Sequence, residues 1–182
     1  WIAADMIAQA EHDEDASAWL VTNDMQLADQ IPAALEGLLA RNPRAEVARK
    51  ALADNGLIVW VPTLQDAVTV ANMRAPEHLE IVTQHPDVIA ADIRHAGAIF
   101  LGEDTPEPVG DYIAGPSHVL PTAGTARYAS PLGVYDFVRR QSLIHYTQSR
   151  LQQDASRIIA LAEAEGLFGH AEAVRIRVEP AP

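Results

Sequence analysis

Four short stretches combine residue types and spacings that could do chemistry. Gly110 to Arg127 is too rich in Gly, Pro and Thr for a regular helix or strand, yet it carries Asp111, His118 and Arg127. Connections beyond roughly 12–15 residues without structure are functional or disordered as a rule. Ile113, Val119, Leu120 and Tyr128 argue against disorder, since disordered segments are poor in such residues. Polar groups on a loop of this kind are positioned by the scaffold and free for use. Glu77 and His78 stand side by side in Pro76-Glu-His-Leu-Glu80. Such a pair can supply a base and a group that activates water. Gln9 and His12 are three apart at the end of a helical pattern, where two donors on one face can hold a metal ion. His170 opens a helical stretch near the C-terminus. Taken alone, each stretch also fits a solvated loop or helix end. His85, His95 and His145 have no polar company that suggests a site.

These groups need elements to hold them. Trp1 to Glu11 reads as an amphipathic helix and Ala18 to Thr22 as a buried strand. Asn23 or Asp24 caps a helix carrying Leu27, Ile31, Leu35, Leu38 and Leu39. A further helix runs from Arg44 to Asp54 and stops at Gly56, a plausible C-terminal glycine. Leu57 to Val61 follows as a strand, and Thr63 then caps another helix. Leu79 to Thr83 is strand-like, Pro86 opens a helix through Ile93, and Ala98 to Leu101 is the next strand. Apolar strands alternating with helices predict an α/β fold: a Rossmann-like, mainly parallel sheet with helices on both faces. The expected domain spans residues 1–132. Residues 133–182 are expected to form a small, mainly helical C-terminal appendage: a helix from Val134 to Arg140, a strand-like Ser142 to Thr147, and two helices split by Gly166.

Composition narrows the classes. With 182 residues, 48% of them hydrophobic, a core forms without staples. The absence of cysteine excludes disulfides, thiolate nucleophiles and cysteine-bound metal, and it fits a reducing, cytoplasmic setting. A net charge of −12 without a basic stripe argues against nucleic acid and anionic membranes as partners. No apolar run approaches the roughly 20 residues that span a bilayer. The phosphate-binding patterns G-x-G-x-x-G and G-x-x-x-x-G-K-[ST] are both absent.

Read in order, Gln9-Ala-Glu-His12, Pro76-Glu-His-Leu79, Gly110-Asp-Tyr-Ile-Ala-Gly-Pro-Ser-His-Val-Leu-Pro-Thr122 and Glu165-Gly-Leu-x-x-His170 resemble the histidinol dehydrogenase family. Arg94 to Gly102 and Ser130 to Phe137 strengthen the match. The resemblance covers nearly the whole chain but only about the C-terminal two-fifths of the family's length. The chain opens at Trp1, inside a helical pattern, and is read as a fragment of a longer protein.

The resemblance implies a zinc-dependent, NAD-linked oxidation of an amino alcohol, L-histidinol, to the amino acid in two hydride transfers. Gln9, His12, Asp111 and His170 match the zinc ligands, one zinc per subunit. Glu77 and His78 match the acid–base pair. His78, Asp111, His118, Glu165 and His170 match substrate-contacting positions. The NAD site would lie mostly in the missing N-terminal part. The family's active site is shared across a homodimer, with Glu165 and His170 reaching into the partner's site. Two other readings stand: a paralogue that oxidises another alcohol, such as a sulfonated diol, and a truncated, non-catalytic metal-binding domain.

Overall fold

The computed structural model describes residues 1–178. The appendage expected over 133–182 therefore has its last residues, 179–182, outside the described ones. The chain packs as two units, residues 1–137 and 138–182.

In the first unit, helix α1 (Ile2–Ala10) places Ala3, Met6, Ile7 and Ala10 on one buried face. Their three- and four-residue spacing makes that stripe. It meets α2 (Met25–Leu39) and α3 (Ala45–Asn55) in two adjoining clusters, one around Ile7, Leu39, Ala48 and Ala51, the other around Met6, Ala18 and Ile31. Asp24 is the cap of α2, as expected, and its Oδ1 accepts from the N–H groups of Gln26 (2.8 Å) and Leu27 (3.2 Å). Gly56 ends α3 with extended backbone at φ −77°, not the left-handed turn common at helix ends.

Strand β1 (Trp19–Thr22) pairs in parallel with β2 (Leu57–Trp60). Thr63 caps α4 (Leu64–Arg74), accepting from Asp66 N–H at 3.2 Å. The α4 helix packs on β1, and the Arg74 guanidinium lies 5.0 Å over the Trp19 ring. Beyond α4, β3 (His78–Ile81) pairs in parallel with β4 (Ala98–Leu101), with α5 (Pro86–Ala90) crossing between them. The parallel α/β character matches the sequence. The ladder is divided, however, into two two-stranded sheets instead of one continuous sheet. Helix α5 is shorter than the stretch expected through Ile93.

The long polar segment begins differently from the sequence reading. Its first residues, Gly110 to Tyr112, complete a helix, α6 (Glu107–Tyr112). The chain after α6 is irregular until a 3-10 turn at Thr125–Arg127. Arg127 clasps this turn to α4 by donating to the carbonyls of Gly124 and Met73.

The second unit is a helical hairpin of α7 (Gln148–Ala164) and α8 (Phe168–Val178). Gly166, at φ 73°, makes the turn, with Gly166 N–H donating to Glu163 O (2.9 Å) and Leu167 N–H to Ala162 O (2.8 Å). A side chain at that φ would meet steric resistance, so glycine belongs there. The helix expected from Val134 to Arg140 is only a 3-10 turn at Val134–Phe137. The strand expected from Ser142 to Thr147 is absent: Leu143 and Ile144 are 95% and 80% exposed, and among the described residues no strand pairs with them. Among the described residues no helix is long and apolar enough to cross a membrane.

Candidate active site

The site forms where β3 begins. Helix α4 closes on Ala75, a buried residue in left-handed conformation (φ 50°), and Pro76 follows at once. Gly97 N–H donates to Pro76 O (2.9 Å) and Ala98 N–H to Glu77 O (2.8 Å), which fixes the Glu77-His78 step against the start of β4. His78 and Glu80 are two apart on β3 and therefore share a face of the strand. Helix α6 lies over that face. Glu107 and Asp111, four apart on α6, project together. Gly110 permits the approach, since a Cβ there would sit 2.7 Å from a ring carbon of Phe100 on β4.

The result is a compact polar cluster. His78 Nε2 lies 3.7 Å from Glu107 Oε1 and 4.0 Å from Asp111 Oδ1. One ligand atom from each of these residues falls within 4.8 Å of the other two. Both ring nitrogens of His78 are buried, with no hydrogen-bond partner among the described residues. An unpaired buried polar atom costs on the order of 1–3 kcal/mol, and in native proteins such atoms accompany catalytic roles, strain, or bound water or ions. Burial is the main influence on His78 and lowers its pKa, with His12 adding to the effect, while Glu77 and Asp111 oppose it. The imidazole is thus neutral near neutral pH, with a lone pair to offer. Burial, then Asp111, pushes Glu107 up to about 7. Burial pushes Glu80 up to about 7 as well, and the neighbouring Asp5 carboxylate contributes in the same direction.

Of the residues singled out in the sequence, His78 and Asp111 come together with Glu77 beside them. His12 is exposed, in the turn just past the end of α1, its N–H reaching Gln9 O at 3.4 Å. It is close enough to His78 to disfavour a proton there. Asp5, on α1, acts on both Glu80 and Glu107. Gln9 is four residues after Asp5 on the same helix face and three before His12. His118 is exposed in the irregular segment after α6. Glu165 and His170 belong to the second unit, Glu165 ending α7 and His170 in the first turn of α8.

Glu107, Glu80 and Asp5 are absent from the sequence reading. Their signals were present: Glu80 follows His78 by two on a strand, and Glu107 precedes Asp111 by four in a segment whose prolines, Pro106 and Pro108, mark a helix start.

The donor set suits a borderline cation. It offers imidazole nitrogen and carboxylate oxygen without sulfur. Ligand atoms about 2.1 Å from a tetrahedral ion lie about 3.4 Å apart, so the observed 3.7 and 4.0 Å need only a small contraction.

The site thus sets one histidine of a parallel α/β scaffold beside two carboxylates. Residues 1–178 match the family model for histidinol dehydrogenase. The chain is 51% identical over 177 residues to a histidinol dehydrogenase of a Synechococcus species, covering 97% of this chain and 41% of the relative. Against that of Bacillus subtilis it is 49% identical over 176 residues, with the same shares. The crystal structure of histidinol dehydrogenase from Elizabethkingia anophelis superposes with a TM-score of 0.91 at 34% identity, over 97% of this chain and 41% of that one. The chain belongs to the histidinol dehydrogenase family. It spans about two-fifths of the length of the curated relatives it matches.

Proposed function

We propose that the chain supplies the acid–base and zinc-binding part of a histidinol dehydrogenase, which oxidises L-histidinol through the aldehyde to L-histidine with NAD as acceptor. One observation carries this reading: the two ring nitrogens of the partly buried His78 are themselves buried and have no hydrogen-bond partner among the described residues, and the ring faces Glu107 and Asp111. A neutral imidazole with a free lone pair is the group that takes a proton from an alcohol as hydride leaves the carbon. Glu77, its chain neighbour, assists the attack of water at the aldehyde stage.

Gln9, His12, Asp111 and His170 are the residues that would hold zinc. Zinc, when bound, supplies a positive template that orients the substrate's imidazole and amine. Asp111 serves there while His78 stays free as base, with the Glu107 carboxylate 3.7 Å from its Nε2. His118 and Glu165 contact the substrate. Histidinol fits this cluster because its alcohol, amine and imidazole can each meet a partner of complementary charge or hydrogen bonding.

Two copies of the whole protein would share the site, with Glu165 and His170 given to the partner subunit. Exposed Leu161, Phe168 and Ile176 on the helical hairpin, each 65–68% exposed, support a role in docking. The NAD-binding residues would lie mostly outside this chain. A cytoplasmic setting accords with the lack of cysteine.

The deciding experiment is NAD reduction on addition of L-histidinol by the product of the complete coding sequence that contains this chain. Two NADH per histidinol are expected from the two oxidations. No turnover of histidinol alongside oxidation of another alcohol would overturn the substrate, and no oxidation of any alcohol would overturn the enzyme.

A further inference from the structure

Helix α6 carries two of the three groups that meet at the cluster, yet little in its own sequence sustains it. It is 6 residues long, far below the length at which a helix is stable alone. It contains Gly110, a poor helix former. Its cap residue, Pro106, offers no side-chain hydrogen bond, and Pro108 has no N–H to give. The Val109 N–H turns back to Pro106 O at 3.0 Å.

The remaining N–H at the start of the helix, that of Glu107, donates to Glu80 Oε1 at 2.9 Å. Glu80 is directly opposite Phe100 in the β3–β4 register, and Phe100 is the residue against which Gly110 rests. One cross-strand pair thus docks α6 at two points: Glu80 takes its first amide, and Phe100 receives its glycine. The next pair on the same face, His78 opposite Ala98, stands under the Glu107 and Asp111 carboxylates, where the small Ala98 leaves room.

We propose that Glu80 is a positioning residue of this site: by accepting the Glu107 amide it sets the rotation of α6 that turns Glu107 and Asp111 toward His78. This rests on the reading of the cluster as the active and metal site. Glu80 touches neither substrate nor metal, and acts through the helix. Its partner on the other side is Asp5 of α1, the helix that also carries Gln9. Glutamine fits the same place. Its Oε1 keeps the acceptor for Glu107 N–H, and its Nε2 can donate to Asp5. Leucine has a similar span and no acceptor.

The test uses the 182-residue chain with Co²⁺ as the probe, comparing Glu80→Gln with Glu80→Leu. Two quantities are read: cobalt affinity, and hydrogen exchange at the Glu107 amide. Glu80→Leu should weaken cobalt binding by about tenfold or more and speed Glu107 exchange by a similar factor, as leaving a part-buried amide donor unsatisfied requires. Glu80→Gln should stay within about threefold of the parent on both, since it keeps the bond. Equal damage from both substitutions, or no effect of Glu80→Leu on either readout, would overturn the positioning role. The isosteric Glu80→Gln also decides alone, because an acceptor role predicts retained protection and a charge role predicts loss. A parent chain that takes no cobalt would count against the metal reading, and the Glu107 exchange rates would then judge Glu80 separately.

Discussion

Gly110 of α6 sits against Phe100 of β4 so closely that a methyl group on it would fall 2.7 Å from the ring. Gly110→Ala should therefore lift α6 from the strand pair. The overpacking costs roughly 1–3 kcal/mol, partly offset by about 1 kcal/mol of better helix propensity. Stability should drop only slightly, and the loss should appear in cation binding and turnover. Phe100→Leu in the same chain should recover part of the affinity. A double variant no better than Gly110→Ala alone would show that the contact is not what the glycine serves.

His78→Asn in the complete enzyme should cut turnover by roughly 10²–10⁴ while zinc content stays at the parent level. Metal analysis and steady-state rates measured together make the check. Turnover at the parent level would remove His78 from the mechanism, and simultaneous loss of zinc would make it a ligand instead of a base.

His12→Ala should lose zinc in the complete enzyme. His12 is close enough to His78 to disfavour a proton there, and Gln9 is three residues before it at the end of α1. Elemental analysis that finds stoichiometric zinc in His12→Ala would show the assignment to be wrong.

The pair Glu80 and Glu107 gives the metal-free chain an unusual pH dependence. Each titrates at about 7 when folded, against an ordinary value of 4.5. Between those values the folded state binds more protons than the unfolded chain. Their stabilising contribution is thus fully present below the unfolded pKa and declines as pH rises through about 7. His78 acts in the opposite sense, because its lowered pKa favours the folded state as pH rises toward its ordinary value of 6.5. Glu107→Gln should flatten the decline seen by urea unfolding across this range. The same slope in the variant would contradict the raised pKa of Glu107.

Much of the scaffold was legible because local signals agreed with tertiary demand. Asp24 and Thr63 cap the helices they precede, and Ala98–Leu101 is a strand as its apolar run suggests. The failures lie where a signal depends on distant residues. Leu143 and Ile144 have strand-like chemistry, but a strand forms only with a partner, and among the described residues none pairs with them. Glu107 escaped notice because Gly110 and the surrounding prolines read as loop, whereas Phe100 and Glu80, distant in sequence, hold the segment helical. His78 and Asp111 were visible as residue types. Their separation of 4.0 Å was not, because it follows from the docking of α6.

Ala75 has a consequence for anyone who would engineer this chain. It holds a left-handed backbone at φ 50° where glycine would rest more easily, and Pro76, Glu77 and His78 depart from it. An L-residue there costs roughly 1–2 kcal/mol, while glycine would bring about 0.5–1 kcal/mol of added freedom to the unfolded chain. Ala75→Gly should therefore leave the melting temperature level or raise it slightly, yet loosen the lead-in to the base and slow the reaction. Selection for heat resistance alone would tend to accept this change, and selection for the activity proposed above would tend to reject it.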